Sequence, residues 1–191
     1  MSVAPPTPSE LADKWAIGEV LNRYCRGIDR MDRSLVLSCW HPGGTDEHTP
    51  LYSGTAEGFV DWVWGIHAAM AGTRHVTGNV LIELAGDDAW VESYWDVMLR
   101  TSAAEGGVTD IFGGGRYLDH FERVDGRWAI RHRRSVHDWD RVEPVRATMA
   151  DGPPTIVPNN PDAPIHHSRR DGDDPSYAFL GGRRRDLFSP R

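Results

Sequence analysis

The sequence predicts an α+β fold in which about three N-terminal helices cover the concave face of a curved, mostly antiparallel sheet. Apolar residues recur at helical spacing as far as residue 71, and beyond it they alternate with a period of two. Gly86-Asp87 and Asp125-Gly126 interrupt the alternation, as tight turns of antiparallel hairpins do. Helices followed by such a sheet are typical of the α+β class. Strong curvature would leave a cavity beneath the helices.

The first helix is predicted over residues 9–30, with Ser9 as N-cap and Glu10 in the first turn. A second, short helix is predicted over residues 32–40, and it stops before Pro42-Gly43-Gly44. Both segments place apolar residues three or four positions apart, so each has one face suited to packing on a sheet.

A short strand is predicted at residues 45–48, and a third helix at residues 55–71 with Thr55 as its N-cap. The alternating pattern that follows predicts four further strands, at 73–85, 88–102, 109–124 and 127–139.

The 88–102 strand has the clearest alternation. One face carries Trp90, Tyr94 and Met98, a large apolar stripe to leave in water, which predicts a homo-oligomer formed through that face. The other face should point to the core and includes Ala89, Val91, Ser93, Trp95, Val97 and Leu99.

His75 is out of phase with the apolar residues Val80, Ile82 and Leu84 of its strand. A bulge near Gly78 would reset the phase and bring His75 onto the concave side, and a glycine inside a strand favours a bulge. By the same reasoning, Gly113-Gly114-Gly115 predicts a bend in the 109–124 strand.

Composition excludes several classes of function. The chain has 191 residues, 39% of them hydrophobic, which is enough for a folded core. Its net charge of -7 argues against a nucleic acid or an anionic membrane as partner. No segment has the length of a membrane span or the core of a signal peptide, so a cytoplasmic location is expected. Cys25 and Cys39 lie in helical apolar patterns and are predicted to be buried thiols.

Two regions are predicted: a folded domain over residues 1–144 and a C-terminal tail over residues 145–191. The tail contains seven of the 13 prolines and has no sustained periodicity. It is therefore predicted to be a linker or an extended arm, which could wrap over a neighbouring subunit.

Several motifs resemble the nuclear-transport-factor-2-like superfamily over residues 9–140. The first helix ends in Arg-Tyr-x-x-x-Ile-Asp, and the strand of His75 has Arg-His-x-x-Gly-Asn-Val-x-Ile. Later come Gly-Gly-Arg-Tyr-x-Asp-x-Phe and Asp-Gly-x-Trp-x-Ile. Within the superfamily the chain is similar to the SnoaL-like group, which includes scytalone dehydratase, bile-acid 7α-dehydratase and hexachlorocyclohexane dehydrochlorinase. The resemblance implies a cone-shaped α+β barrel and a dimer or trimer.

The resemblance also implies site residues. The catalytic aspartate and histidine of the group fall on Asp29 and His75, a catalytic tyrosine on Tyr24, and a pocket arginine near Arg133. Where the bile-acid enzyme has an arginine, this chain has His137. Scytalone dehydratase uses a second histidine, for which His48 and His137 are candidates here.

The residue types suit an elimination that begins with proton abstraction. A histidine is a base near neutral pH, and a carboxylate behind it fixes the tautomer and stabilises the imidazolium. Tyrosine or arginine can polarise the leaving group. No cofactor is required, and no cluster has the spacing of a metal site. Walls formed by Trp62, Trp95, Val97 and Leu99 would suit a hydrophobic, polycyclic or aromatic substrate.

Simpler interpretations stay open. Asp29 could terminate a helix, His75 could be structural, and Asp32 is a competing carboxylate that more naturally caps the second helix. Three functions therefore stand: a cofactor-independent lyase of the dehydratase type, a cyclase or isomerase using the same pair, and a non-catalytic ligand-binding or accessory subunit.

Overall fold

The computed structural model describes residues 5–102, 107–146 and 167–180. Helices and strands follow in the predicted order, and the α+β class is confirmed. The helices are α1 (Pro8–Asp29), α2 (Arg33–Leu37), α3 (Ala56–His67) and α4 (Pro175–Leu180). The strands are β1 (Trp40–His48), β2 (Tyr52–Thr55), β3 (Met70–Ala85), β4 (Asp88–Thr101), β5 (Thr109–Val124) and β6 (Arg127–Pro144).

The six strands form one curved, unclosed sheet in the order β2-β1-β6-β5-β4-β3. Only the β1–β6 pairing is parallel, so the sheet is mostly antiparallel as predicted. Helices α1 and α3 contact its inner face. Strand β2 was not predicted, because four residues are too few to show an alternation.

Local side-chain contacts fix the helix starts. The N-cap of α1 is Thr7 and not Ser9: Glu10 N–H donates to Thr7 Oγ1 (3.2 Å), and Pro8 at the first helical position needs no N–H partner. Asp32 caps α2 by accepting Leu35 N–H (3.0 Å), and Thr55 caps α3 as predicted.

Strand β1 is longer than the predicted 45–48 segment, and α2 is shorter than the predicted 32–40 helix. Pro42-Gly43-Gly44 lies inside β1, where its pairing with β6 is irregular between Trp40 and Thr45. Gly43 has a φ of +73°, which a glycine adopts without strain. A bulge therefore accommodates the Pro-Gly-Gly sequence, which otherwise predicts the end of a helix or strand.

The predicted bulge in β3 is confirmed. Pairing with β4 shifts between Gly78 and Leu81, and Asn79 in the gap has a φ of 47°. His75 lies opposite Val97, and its side chain is on the same face of the sheet as that of Ile82, farther along the strand. One extra residue therefore places His75 on the inner face.

The glycine run in β5 allows a close approach of two tryptophans. The β5–β6 register shifts between Gly114 and Gly115. A Cβ at Gly115 would lie 2.7 Å from the Trp95 ring and 2.0 Å from the Val136 carbonyl oxygen, and one at Gly114 would lie 2.4 Å from Trp139. These rings lie against the strand only because side chains are absent there.

The core lies between the sheet and α1 and α3, and β4 contributes its predicted inner face, with Ala89 0% and Val91 3% exposed. On the outer face Trp90 is 53% exposed.

Cys39 is buried, and burial raises the pKa of its thiol to about 12. Cys25 is partly buried, with its Sγ 3.8 Å from Thr77 Oγ1. None of the four helices in the described part of the chain combines the length and the hydrophobicity that a membrane span requires.

Candidate active site

Asp29 and His75 form a hydrogen-bonded pair between α1 and β3. His75 Nδ1 lies 2.7 Å from Asp29 Oδ1, and the backbone N–H of His75 donates to Asp29 Oδ2 (3.0 Å). Thr73 Oγ1 donates a third hydrogen bond to Asp29 Oδ1 (3.1 Å). The two side chains are 11% and 12% exposed. Because Nδ1 faces the carboxylate, Nε2 is the ring nitrogen left for a ligand.

Asp29 occupies an unfavourable place for a negative charge. It is the last residue of α1, where the helix dipole presents its negative end. The hydrogen bonds from Thr73 and His75 compensate for that position. A carboxylate that only ended the helix would not require three hydrogen bonds from two residues of β3.

His67, which the sequence did not single out, lies next to this pair at the end of α3. His67 is 4% exposed, and its ring lies 5.4 Å from the His75 ring, centroid to centroid. Burial, together with the neighbouring His75, lowers the pKa of His67 to about 3, so it is neutral at neutral pH. Its Nδ1 has no hydrogen-bond partner among the described residues.

The predicted apolar wall beside His75 is partly present. Val97 lies directly opposite His75 in β4, with Leu99 and Trp95 one inward-facing position to either side. Trp62 instead stacks on Tyr52 (5.9 Å between centroids), within an aromatic group over α3 and β2.

Tyr24 and Arg133 lie in a sealed part of the core, 1% and 0% exposed. Arg133 Nε and Nη2 each donate to one oxygen of Asp119 (both 2.8 Å). The guanidinium lies 4.3 Å from the Tyr24 ring centre and 3.9 Å from that of Tyr117. Burial alone would lower the pKa of Arg133, but the Asp119 carboxylate and the two phenols keep it above its ordinary value.

His48 belongs to the same interior group. Its Nδ1 is hydrogen-bonded to Asp46 Oδ1, and its ring stacks on Phe59 at 4.6 Å. Asp46 Oδ2 and Arg133 Nη1 are buried atoms with no hydrogen-bond partner in the described part of the chain. His137 lies elsewhere: it is 54% exposed and paired with Asp140, with its ring 6.3 Å from that of Trp95.

Part of the C-terminal tail packs back onto its own domain beside the Asp29–His75 pair. This docked segment, residues 167–180, includes α4. Tyr177 Oη donates to Asp32 (2.8 Å), and Arg170 Nη1 donates to the carbonyl oxygens of His67 (2.7 Å) and Met70 (2.8 Å). Residues 167–180 of the predicted linker or extended arm therefore contact the domain of the same chain, while 147–166 and 181–191 lie outside the described residues.

One cluster on the outer face has metal-ligand residue types. Asp88, His120 and Glu122 offer ligand atoms within 4.8 Å of one another, and His120 Nε2 lies 2.7 Å from Asp88 Oδ1. The sequence could not indicate this group, because its members are brought together by the β4–β5 pairing. The His120–Asp88 hydrogen bond accounts for the close approach of those two side chains.

Known proteins show the same architecture. The chain is similar to a presumed scytalone dehydratase from Novosphingobium aromaticivorans (18% identity, TM-score 0.64, covering 75% of this chain and 99% of the other). It is similar to a type 2 hexachlorocyclohexane dehydrochlorinase, LinA (19%, 0.65, 77% and 97%). A Mycobacterium tuberculosis protein of unknown function is 26% identical (0.58, 85% and 87%). No curated protein matches the sequence. A family model described as "SnoaL-like domain" matches residues 9–134, so the chain belongs to the SnoaL-like family.

Proposed function

We propose that the protein is a cofactor-independent lyase that eliminates water or a halide from a hydrophobic ring compound. The observation that carries this proposal is the Asp29–His75 pair, a partly accessible imidazole whose Nδ1 is held by a buried carboxylate. Two of the similar structures are named as a dehydratase and a dehydrochlorinase, both of which perform eliminations.

The geometry supports a simple sequence of events. His75 Nε2 removes a proton from a carbon next to the one that carries the leaving group. The C–H electron pair becomes the new C=C bond as the bond to oxygen or halogen breaks, and the leaving group departs with its electron pair. A halide leaves as the anion and the imidazolium returns its proton to solvent, whereas a departing hydroxide takes the proton from the His75 imidazolium and leaves as water. The Asp29 carboxylate stabilises the imidazolium that forms.

Val97, Leu99 and Trp95 supply apolar surface beside His75, which favours a hydrophobic ring as substrate. The roles predicted for Tyr24 and Arg133 in polarising the leaving group stay predictions, as does the role of His48 in binding. A ligand would have to enter the aromatic core to touch these residues.

A substrate screen tests the proposal. The wild-type protein is incubated with hydroxylated and halogenated ring compounds, and mass spectrometry follows the loss of water or hydrogen halide. The His75→Ala protein is the matched control, and we expect any activity to depend on His75. Turnover with no change of mass would indicate an isomerase, and equal turnover by the control would contradict the assignment of the base.

A further inference from the structure

Several arginines of this chain bind a carboxylate through the edge of the guanidinium that carries Nε and Nη2. In Arg133 that edge binds Asp119. In Arg100 it binds Asp110, and both nitrogen–oxygen distances are 2.6 Å. In Arg169 it binds Asp171 (3.0 and 2.8 Å). Two parallel N–H groups on one edge match the two oxygens of a carboxylate, so this is the preferred arginine–carboxylate geometry.

Arg170 does not bind a carboxylate through this edge. Its Nη1 is anchored by two carbonyl oxygens, those of His67 and Met70 at the end of α3. Its Nε and Nη2 are shielded from solvent and have no hydrogen-bond partner among the described residues. A buried charged donor without an acceptor is costly, and such an unfilled edge is suited to an anionic ligand.

The position of Arg170 links this edge to the candidate active site. The anchor to the His67 carbonyl places the guanidinium beside a residue whose ring is 5.4 Å from that of His75. His67 Nδ1 is itself buried without a partner in the described chain. Arg170 is also close enough to Asp29 for the two charges to interact.

The docked segment is held by contacts that do not involve this edge. Arg26 donates to Ser176 Oγ (3.0 Å) and lies 4.3 Å above the Tyr177 ring, and Arg30 pairs with Asp174 (3.2 Å). Burial alone would raise the pKa of Asp174, but hydrogen bonds from Ser176 and from the Arg169 N–H, with the Arg30 charge, hold it well below its usual range. The segment is therefore anchored independently of any ligand.

We infer that the Nε/Nη2 edge of Arg170 is a carboxylate-binding site, and that the docked tail thereby supplies the substrate-binding cation of the Asp29–His75 site. The inference rests on the proposed function and narrows its substrate to a ring compound that carries a carboxylate. The two Asp29 oxygens accept hydrogen bonds from Thr73 and His75, and neither accepts one from the Nε/Nη2 edge of Arg170. A carboxylate held there would orient the ring toward His75 Nε2.

Benzoate and its neutral analogue benzamide test the site on the full chain by calorimetry. We expect wild-type protein to bind benzoate, with the His75 imidazole NMR signals shifting on titration. Arg170→Gln should weaken benzoate binding on the order of tenfold to a hundredfold and leave benzamide binding unchanged. Arg169→Gln removes the adjacent, exposed arginine and should leave the affinities for benzoate and benzamide unchanged.

Arg170→Lys separates binding from docking of the tail. A lysine keeps a positive donor for the α3 carbonyls but lacks the two-pronged edge, so it should bind benzoate more weakly while amide exchange in residues 174–177 stays protected. Equal benzoate affinity in wild type, Arg170→Gln and Arg170→Lys overturns the inference. Two other results also overturn it: wild-type protein that does not bind benzoate, and an Arg170→Gln protein whose affinities for benzamide and benzoate fall by the same factor. Because no turnover is measured, failure of the lyase assignment would leave these results intact.

Discussion

The Asp29–His75 pair and the Arg133–Asp119 pair both join a carboxylate to a nitrogen-containing side chain in the interior. They differ in how much of their surface solvent or a ligand can reach. Arg133 and Asp119 are fully enclosed, with aromatic rings over the guanidinium. Asp29 and His75 keep about a tenth of their side-chain surface exposed, next to the place where the docked segment packs on α3. The enclosed pair is suited to holding the fold together, and the accessible pair to contacting a ligand.

This difference explains why residue type alone cannot assign roles. An arginine with a carboxylate and a histidine with a carboxylate are both chemically competent groups. Enclosure makes one of them costly to disturb and hard to reach. Substitutions should therefore distinguish the two pairs. Those at Asp29 and His75 should alter turnover, and those at Arg133 and Asp119 should alter stability.

The largest effect is expected on turnover from the Asp29–His75 pair. With a substrate from the screen, His75→Ala should lower kcat by about 10²–10⁴-fold, as loss of a general base does. Asp29→Asn keeps the shape and removes the charge behind the imidazole, so it should lower kcat more than it alters KM. The double variant should be little worse than either, because the two residues act as a unit. Independent, multiplying losses would contradict that coupling.

The next effect is on stability, at the enclosed pair. Arg133→Met leaves Asp119 buried without its partner and should lower the free energy of unfolding by about 3–5 kcal/mol in urea denaturation. Arg134→Gln is the matched control: it removes the next arginine in β6, whose exposed ion pair with Glu47 should contribute less than about 1 kcal/mol. Similar losses in the two variants would show that enclosure does not distinguish them.

The fold was largely predictable because it rests on periodicity. The order of α1, α3 and β3 to β6 followed from the change from helical to alternating spacing, and the bulge at Gly78 from a phase conflict within one strand. The missed features depend on tertiary context. β2 is too short to show a pattern, and the Pro-Gly-Gly sequence in β1 is absorbed by a bulge only because β6 pairs beside it.

The candidate site was predictable only in part, for the same reason. The pairing of Asp29 with His75 followed from a family resemblance, and the structure brings the two together. His67 and Arg170 had no sequence signal, because they are 103 residues apart and meet only where the tail docks on α3. The sequence also could not show that Tyr24 and Arg133 are enclosed, since burial depends on Tyr117 and Trp40 from other strands.

A third effect, which develops only on acidification, concerns the buried His67 beside the Asp29–His75 pair. Its pKa is about 3 in the folded protein and about 6.5 when unfolded, so only the unfolded chain is protonated between those values. Stability should fall as pH drops through this window, by up to about 1.4 kcal/mol per pH unit. His67→Gln should flatten this part of the dependence in urea denaturation from pH 3 to 7. An unchanged slope would show that His67 can be protonated in the folded protein.

The smallest effect compares two carboxylates three residues apart, Asp29 and Asp32. Asp32 accepts Leu35 N–H as the cap of α2 and also accepts the Tyr177 hydroxyl of the docked segment. Asp32→Ala should therefore cost about 1 kcal/mol of stability, the usual value for a lost N-cap. Tyr177→Phe removes the second contact alone and should cost less. Because neither residue touches the His75 imidazole, kcat should change far less than with Asp29→Asn. If Asp32→Ala abolished turnover while Asp29→Asn left it unchanged, the carboxylate of the reacting pair would be Asp32, and the geometry at His75 would have to serve structure alone.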